Sequence, residues 1–235
     1  LLLFTVLHML ARFKPLRRVD LHGRRAALGG LAVLATGGAL WAGQQGWAQA
    51  AALPGAQRRF TGSRAVGQVP GLTFPATMWA FDRPAHYVPA GWQLAVTGSV
   101  ARELRLAAAE LAAAPGQELA ATLDCTSGWY TQQVWRGIPV AWLLEQAGLE
   151  PEATAVSFIS ATGYRWSMPL AEAQTLILAT EVGGVPLDHG HGAPLRLVAP
   201  GRRGFQWVKW VAEVRVLKAA DWGQWGAIFT SGLDG

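Results

Sequence analysis

The first 50 residues contain two apolar runs separated by a basic segment, and this pattern sets them apart from the rest of the chain. The second run, Ala26–Gln49, is long enough to cross the apolar core of a bilayer, which takes about 20 helical residues. The first run, Leu1–Leu10, is about half as long, and the chain begins with Leu rather than Met. We therefore expect a membrane helix over 26–49, preceded by the end of another helix that began upstream.

Charge is unevenly distributed along the chain. The formal net charge is +5, but residues 1–59 hold eight of the 20 basic residues and one of the 15 acidic residues. Residues 60–235 therefore carry a small acidic excess, which argues against a nucleic-acid-binding surface. Because basic loops between membrane segments stay in the cytoplasm, the basic segment Arg12–Arg25 predicts an extracytoplasmic, periplasmic location for everything after about residue 50.

Two other interpretations of this N-terminal region remain open. Arg24 and Arg25, followed by an apolar run and by Ala48-Gln49-Ala50, are typical of a cleaved twin-arginine export signal. The run could instead be a buried helix of a soluble protein.

His8 lies in the first apolar run, where an ionisable residue is a candidate functional group. If a cytochrome bundle precedes the chain, we expect His8 to bind haem b. The alternative is an interfacial histidine near a helix end.

The rest of the chain alternates between short strands and short helices. Residues 1–49 predict membrane segments with a basic cytoplasmic loop, 50–69 a linker, 70–218 a folded domain and 219–235 a C-terminal tail. We predict helices over 103–114 and 139–147, and strands over 92–100, 118–125, 155–160, 163–168, 176–181, 194–199 and 208–217. Because these elements lack a regular βαβ spacing, we expect an α+β domain built on mixed sheets.

The single cysteine, Cys125, ends the strand predicted over 118–125 and is followed by a polar, glycine-containing turn. One cysteine excludes an internal disulfide and a cysteine-based zinc site. A lone cysteine is often a small buried apolar residue, but at a strand end a thiolate can also be a nucleophile or a soft metal ligand. The residues alone leave these roles open.

A second candidate site lies in the segment 190–209, where glycines and cations alternate. Glycines let backbone N–H groups approach a ligand, and cations bind phosphate through charged hydrogen bonds. The cations are Arg196, Arg202, Arg203 and Lys209. The segment favours an anionic, phosphate-bearing cofactor, although turns with solvated arginines have the same composition. His189 and His191 form a His-x-His pair, which is weak evidence of a metal site without a third ligand.

Three segments occur in a specific order: TLDCTSGWYTQQVWRGIPVAWLLEQAG, then SFISATGY, then HGAPLRLVAPGRRGFQWVKWVAEVRV. They share a cysteine at a strand end, W-R-G-x-P, G-x-P-x-R-L-x-x-P-x-x-x-G-F and a following lysine. Together they resemble the sulfite oxidase-type family of molybdopterin-dependent oxidoreductases, over about residues 70–218. The resemblance is to the single-domain bacterial branch, which includes a periplasmic methionine sulfoxide reductase catalytic subunit.

The resemblance implies a cofactor and a set of residues that bind it. In this family a cysteine thiolate binds molybdenum beside the two sulfurs of one molybdopterin, and Cys125 matches that cysteine. The cofactor-binding positions of the family match Thr77, Trp79, Ser160, His191, Arg196, Trp207, Val208 and Lys209. His191 and Ser160 replace an Asn and a Thr of the family, which puts the substrate in doubt.

The resemblance also implies oxygen-atom transfer at a Cys-ligated molybdenum in a membrane-tethered enzyme. We expect a small-molecule oxo substrate, and electrons from a membrane-embedded cytochrome, from quinol or from an upstream domain. The catalytic candidates are Cys125, Trp129 and Tyr130. Family sulfite oxidases hold sulfite with an arginine soon after the metal cysteine, whereas Trp129 and Tyr130 stand here, which favours a less anionic substrate such as a sulfoxide. Further candidates for a substrate funnel are Arg136, Arg165, Arg202 and Arg203.

Two other function classes stay open on the sequence. The first is an exported β-rich binding module without redox activity, in which Cys125 is a core residue. The second is a Cys-dependent hydrolase, which pairs the Cys125 thiolate with His191 or His86.

Overall fold

The structure, a computed structural model, describes residues 23–53, 56, 58–67, 69–78, 82, 84–86 and 90–231. His8 and Trp79, two residues with predicted roles, lie outside these ranges. The chain divides into two units, Leu1–Ala56 and Gln57–Gly235.

The first unit contains one long helix, α1 (Arg24–Ala50). Within it, Ala26–Ala50 has a mean hydropathy of 1.5 and is long enough to cross a membrane. Its large apolar side chains are exposed, among them Leu31, Leu34 and Trp41. A helix with apolar side chains on all sides suits a lipid environment. A signal sequence near an N-terminus has the same length and composition, so α1 is a candidate membrane span.

The second unit consists of two mixed sheets with short helices between the strands. In chain order its elements are β1 (Arg64–Ala65), β2 (Gln93–Gly98), β3 (Leu104–Ala107), α2 (Ala108–Ala112), β4 (Gln117–Cys125), β5 (Trp129–Pro139), α3 (Val140–Ala147), β6 (Ala155–Ser160), β7 (Arg165–Pro169), α4 (Leu170–Ala173), β8 (Ile177–Val182), β9 (Val185–Pro186), β10 (Arg196–Val198), β11 (Val211–Leu217) and α5 (Gln224–Thr230).

One sheet has the order β1-β5-β8-β10, with β4 paired to β5 and β9 paired to β8. The other has the order β3-β2-β11-β6-β7. In this second sheet β11 pairs in parallel with β2 and antiparallel with β6. The combination of mixed sheets and short helices confirms the α+β class predicted from the sequence.

Most of the predicted strands are present within a few residues of their expected bounds, but three regions differ. The helix predicted over 103–114 begins as β3, which pairs antiparallel with β2, and only 108–112 are helical. Strand β5 was not predicted. The segment 219–235, predicted as a tail, contains α5, in which Ala227 is buried. Pairing and packing therefore outweigh the helix propensity of the Ala/Leu-rich segment.

The segment predicted as a linker contributes to the second unit. Its residues Arg64 and Ala65 form β1, which pairs in parallel with the first residues of β5. Ser63, just before β1, is fully buried. The boundary between the two units lies at residue 56, so 57–69 belong to the folded unit.

Candidate functional site

A cavity of about 200 Å³ lies at the end of β4 and is lined by segments that are distant in sequence. Most of the residues predicted for the site line it: Thr77, Cys125, Trp129, Ser160, Arg196, Trp207 and Lys209. The fold thus brings the candidate cysteine and the two candidate cofactor cations to one place.

Cys125 reaches the cavity because it is the last residue of β4, in a hairpin with β5. Gly128 closes the hairpin with φ +88°, a left-handed conformation that glycine adopts without strain, and its N–H donates to the Cys125 carbonyl at 3.1 Å. Side chains alternate along a strand, so Cys125 and Leu123 face the cavity together. Cys125 is 8% exposed, so the residue is buried while it lines the cavity.

A small polar cluster surrounds the thiol. Sγ of Cys125 is 3.1 Å from Oγ of Ser127, which is 3.4 Å from Oγ1 of Thr77. The indole Nε1 of Trp129 donates to the same Thr77 hydroxyl at 3.3 Å. The thiol thus lies at one end of a chain of hydrogen-bonding side chains that runs from Ser127 through Thr77 to Trp129.

Arg196, at the start of β10, is a buried cation without an anionic partner among the described residues. Its side chain is 4% exposed, Nη1 donates to the His191 carbonyl at 2.8 Å, and Nε has no hydrogen-bond partner. Burial lowers the pKa of Arg196 to about 10. The guanidinium carbon lies 5.5 Å from the ring of Trp135 and 5.9 Å from that of Trp207. A buried guanidinium with a free N–H is costly unless an anion binds to it.

Lys209 is a second cation in the same cavity, and it is half-buried. Its Nζ donates to the carbonyl of Gly190 at 2.6 Å and to that of Thr77 at 2.8 Å. Burial, together with the charge of Arg196, lowers the pKa of Lys209 to about 7. The two cations create a positive potential at the cavity, and such a potential favours a phosphate or another anion.

Three other predicted residues, His191, Val208 and Tyr130, do not line the cavity. His191 is buried; its Nδ1 is 2.7 Å from Oδ1 of Asp188 and its Nε2 is 2.9 Å from the Phe74 carbonyl oxygen. Its carbonyl accepts a hydrogen bond from Arg196, which does line the cavity. Val208 is buried, and its carbonyl accepts from the Leu197 N–H at 2.8 Å.

Tyr130 follows Trp129 in β5 and therefore faces the opposite side of the sheet. Its ring lies 5.6 Å from the guanidinium carbon of Arg59, and it does not line the cavity. The structure thus brings Trp129 into the site but not Tyr130.

None of the four arginines predicted for a substrate funnel lines the cavity. Arg165 pairs with Asp221 at 2.6 Å, and Arg202 forms two hydrogen bonds with Glu172. Arg203 lines a separate groove beside Asp124, and Arg136 projects from the outer face of β5. The structure therefore does not bring these four arginines to the cavity, because carboxylates and outward-facing strand positions hold them elsewhere.

The cavity wall instead includes several apolar and aromatic residues that the sequence did not identify. These are Tyr164, Phe205, Trp210 and Ile228, together with Asp82; Met78, which the family resemblance also suggested beside Thr77, lines the wall as well. Tyr164 and Phe205 are joined by a hydrogen bond from the Tyr164 hydroxyl to the Phe205 carbonyl. Tyr164 and Trp210 lie inside the segments that carry the family resemblance, so that resemblance is a signal that could have identified them. Ile228 lies in the predicted tail, where no local signal marks it.

The geometry does not support a Cys–His catalytic pair. Among the described residues no histidine lines the cavity, and both ring nitrogens of His191 are occupied. His86 stacks on His189, with 4.1 Å between the ring centroids. The described part of the chain also contains no group of three His, Cys, Asp or Glu side chains that could hold a metal. A metal here would need ligands from a cofactor.

The chain matches a family model described as the oxidoreductase molybdopterin binding domain, over residues 80–225. It is 33% identical over 149 residues to the protein-methionine-sulfoxide reductase catalytic subunit MsrP of Gluconobacter oxydans, covering 55% of this chain and 48% of the relative. It is 31% identical over 147 residues to the uncharacterized oxidoreductase YuiH of Bacillus subtilis, covering 61% of this chain and 74% of the relative.

A third relative is the mitochondrial sulfite oxidase of Homo sapiens, 30% identical over 169 residues, covering 58% of this chain and 31% of the relative. Among solved structures, the chain resembles the sulfane dehydrogenase SoxCD from Paracoccus pantotrophus with a TM-score of 0.56 and 25% identity. That match covers 58% of this chain and 41% of the SoxCD chain. The chain thus spans about half the length, or less, of several of the proteins that it matches.

Proposed function

This chain belongs to the oxidoreductase molybdopterin-binding family, and from that premise we propose that it is a membrane-tethered oxidoreductase that moves an oxygen atom at a molybdenum held by Cys125. Family membership implies a molybdenum cofactor with one molybdopterin. The observation that supports this most directly is the buried, unpaired Arg196 in the same cavity as the only thiol of the chain.

The residues of the cavity fit such a cofactor. Cys125 offers a soft thiolate ligand, which suits molybdenum. Arg196 has a free Nε–H, and Lys209 adds a second cation, so both suit the phosphate of a pterin. When bound, the cofactor supplies the oxygen-atom and electron chemistry that no side chain provides.

The protein's own residues hold, shield and orient this site. Ser127 places a hydroxyl beside the thiol and contacts the Thr77 hydroxyl, which Trp129 fixes by donating to it. Trp207 is almost fully buried and donates from Nε1 to the Arg202 carbonyl at 3.2 Å. These large rings exclude water from the side of the cavity where the two cations lie.

The cavity wall supports an uncharged substrate. Met78, Phe205 and Ile228 present apolar surface, and the four arginines predicted for a substrate funnel do not line the cavity. With Arg196 and Lys209 occupied by the cofactor phosphate, this apolar wall would bind a neutral sulfoxide better than sulfite, because sulfite would lose its hydration without gaining a further counter-charge. The MsrP relative is named a protein-methionine-sulfoxide reductase, which supports the same substrate class.

We place the folded unit on the extracytoplasmic side of a membrane, tethered by α1. The charge asymmetry around the apolar run and the candidate span support this location. Electrons would come from a membrane-embedded cytochrome, from quinol or from an upstream domain. A haem-binding role for His8 stays a prediction.

Turnover measurements test the substrate assignment. Full chain carrying molybdenum is assayed with reduced dye and methionine sulfoxide, and in parallel with sulfite and an oxidised dye. We expect oxidation of the reduced dye by methionine sulfoxide and a kcat/KM for sulfite that is lower by at least about tenfold. Preferential oxidation of sulfite would contradict the proposed substrate class.

A further inference from the structure

Asp124, the residue before Cys125, faces the opposite side of β4. Cys125 lines the cavity described above, whereas Asp124 lies in the floor of a separate groove lined by Arg59, Phe60 and Arg203, among others. Asp124 is nevertheless buried, with 4% of its surface exposed. A buried carboxylate requires hydrogen-bond donors or cations around it.

The Asp124 carboxylate has four such partners. Its Oδ1 accepts from the Ser63 hydroxyl at 2.6 Å, and its Oδ2 accepts from the Thr61 hydroxyl at 2.8 Å and from Nε of Arg59 at 3.0 Å. Nη1 of Arg203 lies 3.6 Å from Oδ1. Three of these partners come from a single turn, and the fourth comes from the loop that carries the cavity residues Phe205 and Trp207.

The turn is rigid for local reasons. The Arg59 N–H donates to the Ser63 carbonyl at 2.9 Å, and Gly62 adopts φ +81° at the turn. The chain then enters β1, where Arg64 pairs with Trp129. This turn precedes residues 80–225, the part of the chain that matches the family model. Support for the end of β4 therefore comes from outside the matched domain.

The Arg203 loop is packed directly on the backbone of Cys125. Asp124 forms a parallel bridge with Arg203. A Cβ atom added to Gly204 would lie 2.9 Å from Cα of Cys125 and 3.0 Å from the Asp124 carbonyl oxygen, so only glycine fits. The Asp124–Arg203 ion pair thus joins this loop to the strand end that presents the thiol.

We propose that Asp124 is a positioning residue for Cys125. Its carboxylate joins the 59–63 turn, the end of β4 and the Arg203 loop, and in doing so fixes the direction in which the thiol enters the cavity. The metal-ligand role of Cys125 rests on the function proposed above, but the orientation of the thiol does not depend on it. Partners that orient a metal ligand commonly change metal affinity by about 10- to 100-fold.

The test compares Asp124→Asn with Asp221→Asn. Asn keeps the size of the side chain but removes its charge. It also replaces one carboxylate oxygen, which accepts hydrogen bonds, with an NH2 group, which faces the surrounding donors without being able to accept from them. Asp221 is the matched control, because it also pairs with an arginine, Arg165, at 2.6 Å, and lies away from the cavity lining. Because Cys125 is the only cysteine, its modification by a thiol reagent reports on one site.

In cofactor-free full chain, we expect Asp124→Asn to raise the modification rate of Cys125 severalfold and Asp221→Asn to leave it unchanged. In loaded protein, we expect Asp124→Asn to lower molybdenum content and to shift the reduction potential of the molybdenum that remains. A purely structural role would lower thermal stability without changing either the potential or the native-state thiol rate.

Thr61→Ala and Ser63→Ala, which each remove one donor, cover the case in which Asp124→Asn does not fold. We expect each to change the thiol rate in the same direction by a smaller factor. Unchanged thiol rates in Asp124→Asn, or in both alanine variants, would overturn the proposal. The thiol measurement needs no cofactor, so a wild-type chain without molybdenum would contradict the proposed function and leave the test of Asp124 intact.

Discussion

Arg196, which is buried, and Lys209, which is half-buried, line the same cavity, and neither forms an ion pair with a described carboxylate. Burial and the charge of Arg196 lower the pKa of Lys209 to about 7, and burial lowers the pKa of Arg196 to about 10. Two like charges in one apolar cavity destabilise a protein unless an anion binds between or beside them. This arrangement is therefore evidence for a binding site rather than for a structural ion pair.

Arg196→Met should separate binding from stability. Methionine fills a similar volume and removes a buried, unpaired charge, so we expect the cofactor-free variant to unfold at the same temperature as wild type or higher. The same variant should lose most of its molybdopterin. Arg202→Met is the control, because Arg202 pairs with Glu172 away from the cavity, and it should keep the cofactor. Thermal unfolding and pterin quantification check both results. A large loss of stability in cofactor-free Arg196→Met would contradict this account.

The lowered pKa of Lys209 predicts that, as pH rises, the free energy of unfolding of the cofactor-free protein increases while cofactor retention decreases. Its pKa is about 7 in the folded protein and about 10.4 in an unfolded chain, so between these values the unfolded state binds more protons. The free energy of unfolding of the cofactor-free protein should therefore rise with pH across this interval. Retention of an anionic cofactor should fall over the same interval, because Lys209 loses its charge.

Lys209→Met is the control for this pH dependence. Its free energy of unfolding should rise less between about pH 7 and about pH 10 than that of wild type, by the contribution of one titrating group. Denaturant unfolding at a series of pH values measures the difference. If the free energy of unfolding changed equally with pH in wild type and in Lys209→Met, Lys209 would not titrate as described.

Two residues of α5 test the apolar cavity wall. Ile228 lines the cavity, whereas the next residue, Phe229, is 69% exposed. We expect Ile228→Asp to lower kcat/KM for methionine sulfoxide by about tenfold or more, because a carboxylate would replace apolar contact with the substrate. Phe229→Asp should leave kcat/KM within about twofold of wild type. Equal effects of the two substitutions would indicate a general disturbance of the helix.

Neighbouring residues of β5 give a further comparison. Trp129 lines the cavity and donates to the Thr77 hydroxyl, whereas Tyr130 faces Arg59 on the other side of the sheet. We therefore expect Trp129→Phe to reduce turnover severalfold and Tyr130→Phe to leave it unchanged. Steady-state kinetics on both variants checks this. Loss of turnover in Tyr130→Phe alone would restore the catalytic role predicted from the sequence.

The sequence predicted the centre of the site because its signals are local. Cys125 stands at the end of a strand followed by a tight turn, and the cations stand in a glycine-rich segment, so residue type and position marked these residues as candidates but left their roles open. The alternation of β4 then placed Cys125 and Leu123 on the cavity side. The family motifs carried the assignment of Arg196 and Lys209.

The sequence did not predict β5, because polar residues occupy its inner positions. Thr131 and Gln133 are buried, and both donate to the Gly67 carbonyl, at 2.8 and 2.7 Å. Val134, on the outer face, is half exposed. The hydrophobic alternation of the strand is therefore hidden. The Gly67 carbonyl also lies in the segment predicted as a linker, and hydrogen bonds over such sequence separations leave no local pattern.

The cavity wall was missed for a related reason. Helix α5 has seven residues and no side-chain cap, so local propensity does not specify it. It is held by tertiary contacts: Gln224 accepts from the N–H and the hydroxyl of Ser167, both at 2.8 Å, and Trp225 packs edge-on against Trp166. Only the folded structure brings Ile228 to the site.

The central claim is that Cys125 holds molybdenum in a cavity built for an anionic cofactor. The most direct test is the molybdenum content of full chain produced in a host that makes the cofactor, measured for wild type and for Cys125→Ser. We expect close to one molybdenum atom per wild-type chain. Cys125→Ser, which keeps the size and fold but lacks the soft ligand, should retain little or none. A wild-type chain free of molybdenum, or equal molybdenum in the two proteins, would contradict the account.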